Sequence, residues 1–196
     1  MLLLAALAGL ASPLGAQLSL RISAGVRYSS ALVHDSIVTP FTVRPALAPA
    51  LACTAVAPLQ HGWAVQATLD GSSSQMVRRE ASGAATDLGR LSAATFTVGL
   101  RHRVRGGLTA AGAVGALKYF PSDERGIFRL GNGPLAGLGS LTVDYRVPLG
   151  AGLGLAVEAR YDVHAFTTPA LDQEGFGSSQ LVHRVSLSLR AGGGRP

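Results

Sequence analysis

Cysteine occurs once, at Cys53, which excludes an internal disulfide framework and a cysteine-rich zinc site. Lysine also occurs once, against 16 arginines. Charged residues of all kinds fill only 14% of the 196 positions, well under the roughly 25% usual for soluble domains. With 47% hydrophobic residues, such a chain has little material for a conventional wet surface. Aromatic residues are scarce at 6%, and the 25 glycines recur without a collagen-like period, which excludes a fibre. The five histidines, at positions 34, 61, 102, 164 and 183, lack the spacing to cysteine or carboxylates that a zinc site needs. Asp123-Glu124 and the Asp172/Glu174 pair fall in separate loops and would bind calcium only by converging, so no metal or cofactor is expected. The net charge of +6 does not point to nucleic acid, because the arginines are dispersed and no patch interleaves them with aromatics.

No apolar run is long enough for a membrane-spanning helix, which needs about 20 residues. The run Leu2 to Leu10 (LLLAALAGL) has nine, and the stretch 45–59 is broken by three prolines. The first is followed by Ser12-Pro13 and the small residue Ala16, the pattern of a secretory signal peptide over residues 1–16. Ala50-Leu51-Ala52-Cys53 imitates a lipoprotein cleavage box but lies far from the N-terminus, so Cys53 is read as a free thiol on a strand.

Beyond Gln17 the hydrophobic period is two, the period of a strand and not of a helix. Leu18, Leu20, Ile22, Ala24, Val26 and Tyr28 alternate with Ser19, Arg21, Ser23, Gly25 and Arg27. The same weave returns around Trp63–Leu69, Phe96–Val104, Leu141–Val147, Leu153–Val163 and Val185–Leu189. Segments near 41–56 and 108–120 are extended by composition, which makes eight strands. Pro45 and Pro49 fit poorly inside a strand and predict a bulge or an irregular upper half in strand two. Short connections at 58–62, 105–107 and 148–151 alternate with long ones at 29–40, 71–90, 121–131 and 167–179. Strands of this length, short turns at one end and long loops at the other predict an up-and-down transmembrane β-barrel.

Alternation alone leaves two ways round. A soluble, lipocalin-like barrel turns its apolar face inward and binds an apolar ligand there. The polar face here is mostly Ser, Thr, Gly and Ala with scattered Arg, which suits a narrow interior better than a solvated exterior. Tyr28, Phe41, Tyr119, Phe120, Phe128 and Phe166 lie near the long loops, and Trp63 and Tyr145 near the short turns, as two membrane-interface belts would.

By topology and pattern, residues 17–190 resemble the small eight-stranded bacterial outer-membrane barrels of the OmpX and OmpA membrane-domain type. The resemblance implies residence in the outer membrane, contact with its lipid, including lipopolysaccharide, handling by the barrel assembly machinery, and a monomer. In that family the last strand ends in an aromatic that the machinery reads. Here Val182 to Arg190 ends on Leu189, and a short polar tail, 191–196, follows.

If strand parity holds, the interior receives Arg21, Arg27, Arg44, Arg101, Arg103, Arg146, Arg160, Arg184 and Arg190 together with Asp70, Asp144, Glu158 and Asp162. An eight-stranded barrel is just wide enough for side chains to fill it, so an ion-pair network and no continuous pore are expected. The expected role is structural or in surface interaction through the long loops. A lipid A-modifying enzyme is the alternative from another class. Its candidates are His164 and Glu158, which share one face of strand seven with Arg160 and Asp162.

Overall fold

A computed structural model describes residues 18–35, 40–123, 126–130, 133–150, 153–173, 175 and 180–193; the expected signal peptide lies outside them. The elements are β1 (Ser19–Ser29), β2 (Val33–Asp35), β3 (Phe41–Pro45), β4 (Ala48–Pro58), β5 (Trp63–Glu80) and β6 (Ala85–Arg105). They continue with β7 (Leu108–Pro121), a 3-10 turn (Gly126–Phe128), β8 (Leu135–Gly150), β9 (Leu153–Phe166), α1 (Pro169–Gln173) and β10 (Gln180–Gly193).

Eight strands close on themselves. β1, β4, β5, β6, β7, β8, β9 and β10 pair antiparallel with their neighbours in that order, and β10 returns to β1. The stagger of the ring follows from the register. Paired residues lead from Ser29 through Arg184, Asp162, Ser140, Ala113, Gly99, Gln66 and Val56 back to β1 at Ser19, ten residues below the start. With about 3.3 Å per residue along a strand and about 4.8 Å between strands, this stagger means a tilt of about 40° and a radius of about 8 Å.

The apolar parity points outward. Leu20 (67% exposed), Ile22 (65%) and Leu141 (63%) stand on the outer surface with Val26, Leu51, Leu69, Phe96, Leu100 and Leu187. Ser23, Thr54, Gln66, Thr68, Thr97, Ser140 and Thr142 are buried inside. A barrel that holds an apolar ligand in its lumen is therefore overturned: its greasy face is its exterior.

The short connections are tight because their residues reach positive φ. His61 (φ 57°) and Gly62 (φ 78°) turn the chain from β4 into β5, with Trp63 N donating to Gln60 O at 3.2 Å. Gly106 (φ 53°) and Gly107 (φ 88°) do the same between β6 and β7.

Three expectations are corrected, and a fourth, the irregular upper half of strand two, is met. The stretch 71–90 is no loop: β5 and β6 run on as a paired hairpin through Arg79↔Ala85, with a register shift between Gln75 and Val77. Beyond the barrel wall a strand no longer has a wholly apolar face, so the hydrophobic alternation that marks the other strands fades there. Strand two is split into β3 and β4, both on β5, with Pro45 opposite Met76 and Ala50 opposite Ser72. The extra residue makes a bulge beside Pro45, which flips the inward parity from Val43 and Pro45 to Ala48. Three of the six aromatics expected in the upper belt, Tyr119, Phe128 and Phe166, are buried inside. Tyr119 and Phe120 are neighbours on one strand, so only one of them can face outward. Finally, β10 extends to Gly193, where Ala191, Gly192 and Gly193 pair with Leu155, Gly154 and Leu153 and take up the lower end of β9.

Candidate functional site

The long loops build a stopper over one mouth of the barrel. Phe128, Leu171 and Leu32 come from the loops, and Val43, Met76, Leu91, Leu117, Tyr119, Phe166 and Val182 from the strands; together they form one buried apolar cluster. Phe166 stands edge-on to both Tyr119 and Phe128, with ring centroids 5.6 and 6.2 Å apart. Leu171 is set by a short helix whose start suits its sequence. Thr168 Oγ1 accepts from Leu171 N at 3.3 Å, and Pro169 occupies the first turn, where a missing N–H costs nothing.

Below the stopper the lumen becomes polar. Tyr119 Oη and His164 Nε2 lie 2.9 Å apart and mark the boundary. One level down, Asp70, whose side chain is fully buried, is gripped by Arg27 Nη1 at 2.5 Å and Arg160 Nη1 at 2.8 Å. Arg160 Nε also reaches Asp162 Oδ1 at 2.7 Å and donates to Ser140 Oγ at 3.0 Å. Arg27 Nε donates to Ser186 Oγ at 2.7 Å. The five strands β1, β5, β8, β9 and β10 are thus tied across the lumen around one carboxylate and two guanidinium groups. Planar bidentate-capable arginine is well suited to such bridging.

The middle of the lumen is hydroxyl-lined. Thr54 and Thr68 share a hydrogen bond at 3.0 Å, and beside them Gln66, Thr97 and Thr142 border a cavity of about 10 Å³, room for no more than a single water. Near the short turns a second ionic knot forms. Asp144 holds Arg101 at 2.6 Å and Arg190 at 3.1 Å, and Arg190 also meets Glu158 at 3.4 Å.

The expected interior residues therefore fall into groups. Asp70, Arg101, Asp144, Glu158, Arg160 and Asp162 are joined in the two knots. Arg184 is buried between them and the stopper, donating to Thr95 Oγ1 at 3.2 Å, and has no ion pair among the described residues. Arg21 and Arg146 are half-buried toward the short turns, and Arg103 is exposed at that rim. Arg44 is the misplacement: it lies on the face of β3 opposite Val43 and Pro45, because the bulge reverses parity above Ala48. His164 and Glu158 do not form a catalytic pair. His164 is 2% exposed beneath the stopper, bound to Tyr119, while Glu158 belongs to the lower knot with Arg190. No group of three or more metal-binding side chains occurs among the described residues.

The stopper went unseen in the sequence. Its one available signal was parity, since Leu117, Tyr119 and Phe166 sit on the inward set of their strands while Phe120 does not.

No protein-family model matches the chain, and no curated protein matches it. Two solved structures are similar over most of its length. One is Ail, the attachment invasion locus protein of Yersinia pestis, in complex with the heparin analogue sucrose octasulfate. It is 13% identical with a TM-score of 0.48, covering 89% of this chain and 97% of that one. The other is the outer membrane protein OprG from Pseudomonas aeruginosa, 13% identical with a TM-score of 0.45, covering 88% and 91%. The class to which the closed ring and its register assign this protein is the eight-stranded antiparallel up-and-down barrel.

Proposed function

We propose that this chain is an exported outer-membrane β-barrel with a structural or surface-interaction role and no continuous pore. The observation that carries the reading is the outward apolar belt wrapped around an ion-paired lumen. Along β1 it runs from Leu18 to Tyr28, about 25 Å measured on the barrel axis at the tilt found above, the height of a barrel's lipid-facing band. Trp63 and Tyr145 stand exposed at the short-turn end, and Tyr28 and Phe120 at the other, at the depths expected for the two interfaces. The short turns then face the periplasm and the long loops the exterior.

Two knots of charge and an apolar stopper lie in series along the lumen, so ions have no path of useful width. What reaches outward is a small sheet of β2, β3 and the upper parts of β5 and β6, which rises about 15 Å past Phe120. There Arg78 sits 4.4 Å over the Phe41 ring and pairs with Glu80 at 3.6 Å. This sheet and the neighbouring loops form the recognition surface. The barrel stands as a monomer in lipid after cleavage of residues 1–16, delivered by the barrel assembly machinery.

Gel mobility in SDS tests the reading. An outer-membrane extract is expected to show a band that shifts on boiling, because a closed barrel resists SDS when cold. Recovery from the soluble periplasm with no shift would remove the membrane reading.

A further inference from the structure

The lipid-facing belt has one thin place. On β7 and β8 several outward positions carry no side chain, and between Val98, Leu141, Tyr161 and Val163 an open apolar groove of about 450 Å³ lies over Gly112 and Gly139. That is a volume typical of small-molecule sites. These glycines are not there because the fold lacks room. A Cβ at Gly112 would stop 3.9 Å from Leu141, one at Gly139 would stop 3.7 Å from Val163, and one at Gly137, the next outward position up β8, would meet nothing within 4 Å. Gly99 and Gly115 differ, since a Cβ there would strike the backbone of a neighbouring strand. Glycine weakens a strand, and where packing does not require it, it marks close approach by something else.

The belt turns cationic above the groove, four residues or about 13 Å along β7 from Val114, the last β7 residue that lines it. Lys118, the chain's single lysine, follows Gly112, Val114 and Ala116 in the outward parity of β7, and its Nζ donates to Gly133 O at 2.6 Å. Across the groove, Tyr161 Oη lies 2.7 Å from Nδ1 of the exposed His183, and the two rings are stacked at 5.9 Å. The belt carboxylates, Asp70, Asp144, Glu158 and Asp162, all belong to the inward parity, so a second copy of this chain has no acid on its belt to offer Lys118.

Resting on the membrane reading above, we infer that the groove over Gly112 and Gly139 holds an acyl chain of one outer-leaflet lipid whose phosphate is met by Lys118. Small residues let the chain lie close to the sheet, Tyr161 and Val163 wall it, and the lysine above the groove selects an anionic headgroup.

The test is native mass spectrometry of the full folded chain, released from vesicles of phosphatidylglycerol or of phosphatidylcholine with the same acyl chains. The wild-type protein is expected to keep one phosphatidylglycerol in about fivefold preference to phosphatidylcholine, the effect of one cation at a lipid surface. Lys118→Gln should lose the preference and still retain lipid. Gly112→Leu with Gly139→Leu should fill the groove and lose the lipid, and Gly137→Leu, which meets open space, should weaken it. All variants should keep the boiling-dependent gel shift. A normal shift with no retained lipid, or equal retention by the filled variant, overturns the groove alone. A dimer that the filled variant abolishes makes it a contact between copies instead. Absence of the shift in the wild-type protein overturns the membrane reading, and the groove with it.

Discussion

Above the Tyr119–His164 hydrogen bond the interior is packed like the core of a soluble domain, with Phe128, Leu171 and Leu32 closed over Phe166 and Leu117. Below it, the inward positions carry arginine, carboxylate and hydroxyl groups. The surroundings explain the difference. At the level of the loops the alternative to burial is water, so apolar side chains gain from the hydrophobic effect there. Within the belt the exterior is itself apolar, and an apolar lumen would leave inside and outside indistinguishable. Charges inside remove that ambiguity, because a slip of one residue would turn Arg27 and Asp70 onto the apolar exterior. The ionic lumen therefore serves register at least as much as stability, and the stopper serves stability and closure.

The sharpest way to break this comparison is to remove the shared anion. Asp70→Ala strands Arg27 in a buried site and leaves Arg160 with Asp162 alone, and is expected to cost about 3–5 kcal/mol, or to prevent folding. Urea titration in lipid vesicles, followed by the gel shift, measures it. Wild-type stability would mean that the upper knot holds nothing together.

Phe166→Ala probes the other half and should cost about 3 kcal/mol, as large cavities do. Its effect should be confined to the mouth. Hydrogen exchange is expected to rise in the loops around Leu32 and Leu171 while amides beside Asp144 stay protected; loss of protection along the whole of β9 would show that the two halves are one cooperative unit.

Arg190→Gln is expected to be milder, about 1–2 kcal/mol, since Asp144 keeps Arg101 and the lower knot lies near the open rim. Raising salt should shrink the difference between this variant and the wild-type protein, and a salt-independent loss would place the knot out of reach of solvent.

Arg44→Gln should change stability by no more than about 0.5 kcal/mol, because the residue lies on the outer face of β3. A cost comparable to that of Asp70→Ala would return Arg44 to the lumen and remove the bulge from the account of β3 and β4.

Much of this was legible in the residues. The alternation from Leu18 to Tyr28, and again from Leu153 to Val163, gives the strands and both of their faces, and the poverty of that polar face in lysine and acids says which face is outside. The candidate network was legible as a set of members and not as a set of bonds. Arg27 and Asp70 are 43 residues apart, and Arg190 and Asp144 46 apart, and nothing local says which arginine meets which acid. The hairpin through 71–90 was hidden because hydrophobic alternation marks a wall strand with an apolar outer face, and this stretch lies beyond the closed ring.

Period-two patterning in six segments, composition in two more and the alternation of short and long connections thus determined the number of wall strands, the end that carries the loops, and the inward set of residues wherever parity is unbroken. Each of these depends on a strand and its immediate neighbours in sequence. Only the closed ring decided the rest: that Tyr119 and Phe166 build a stopper where a belt was expected, that the bulge expected near Pro45 turns Arg44 outward, and that Asp70 sits between two arginines from β1 and β9. Those outcomes depend on the stagger by which strands distant in sequence meet, and no single strand carries that information.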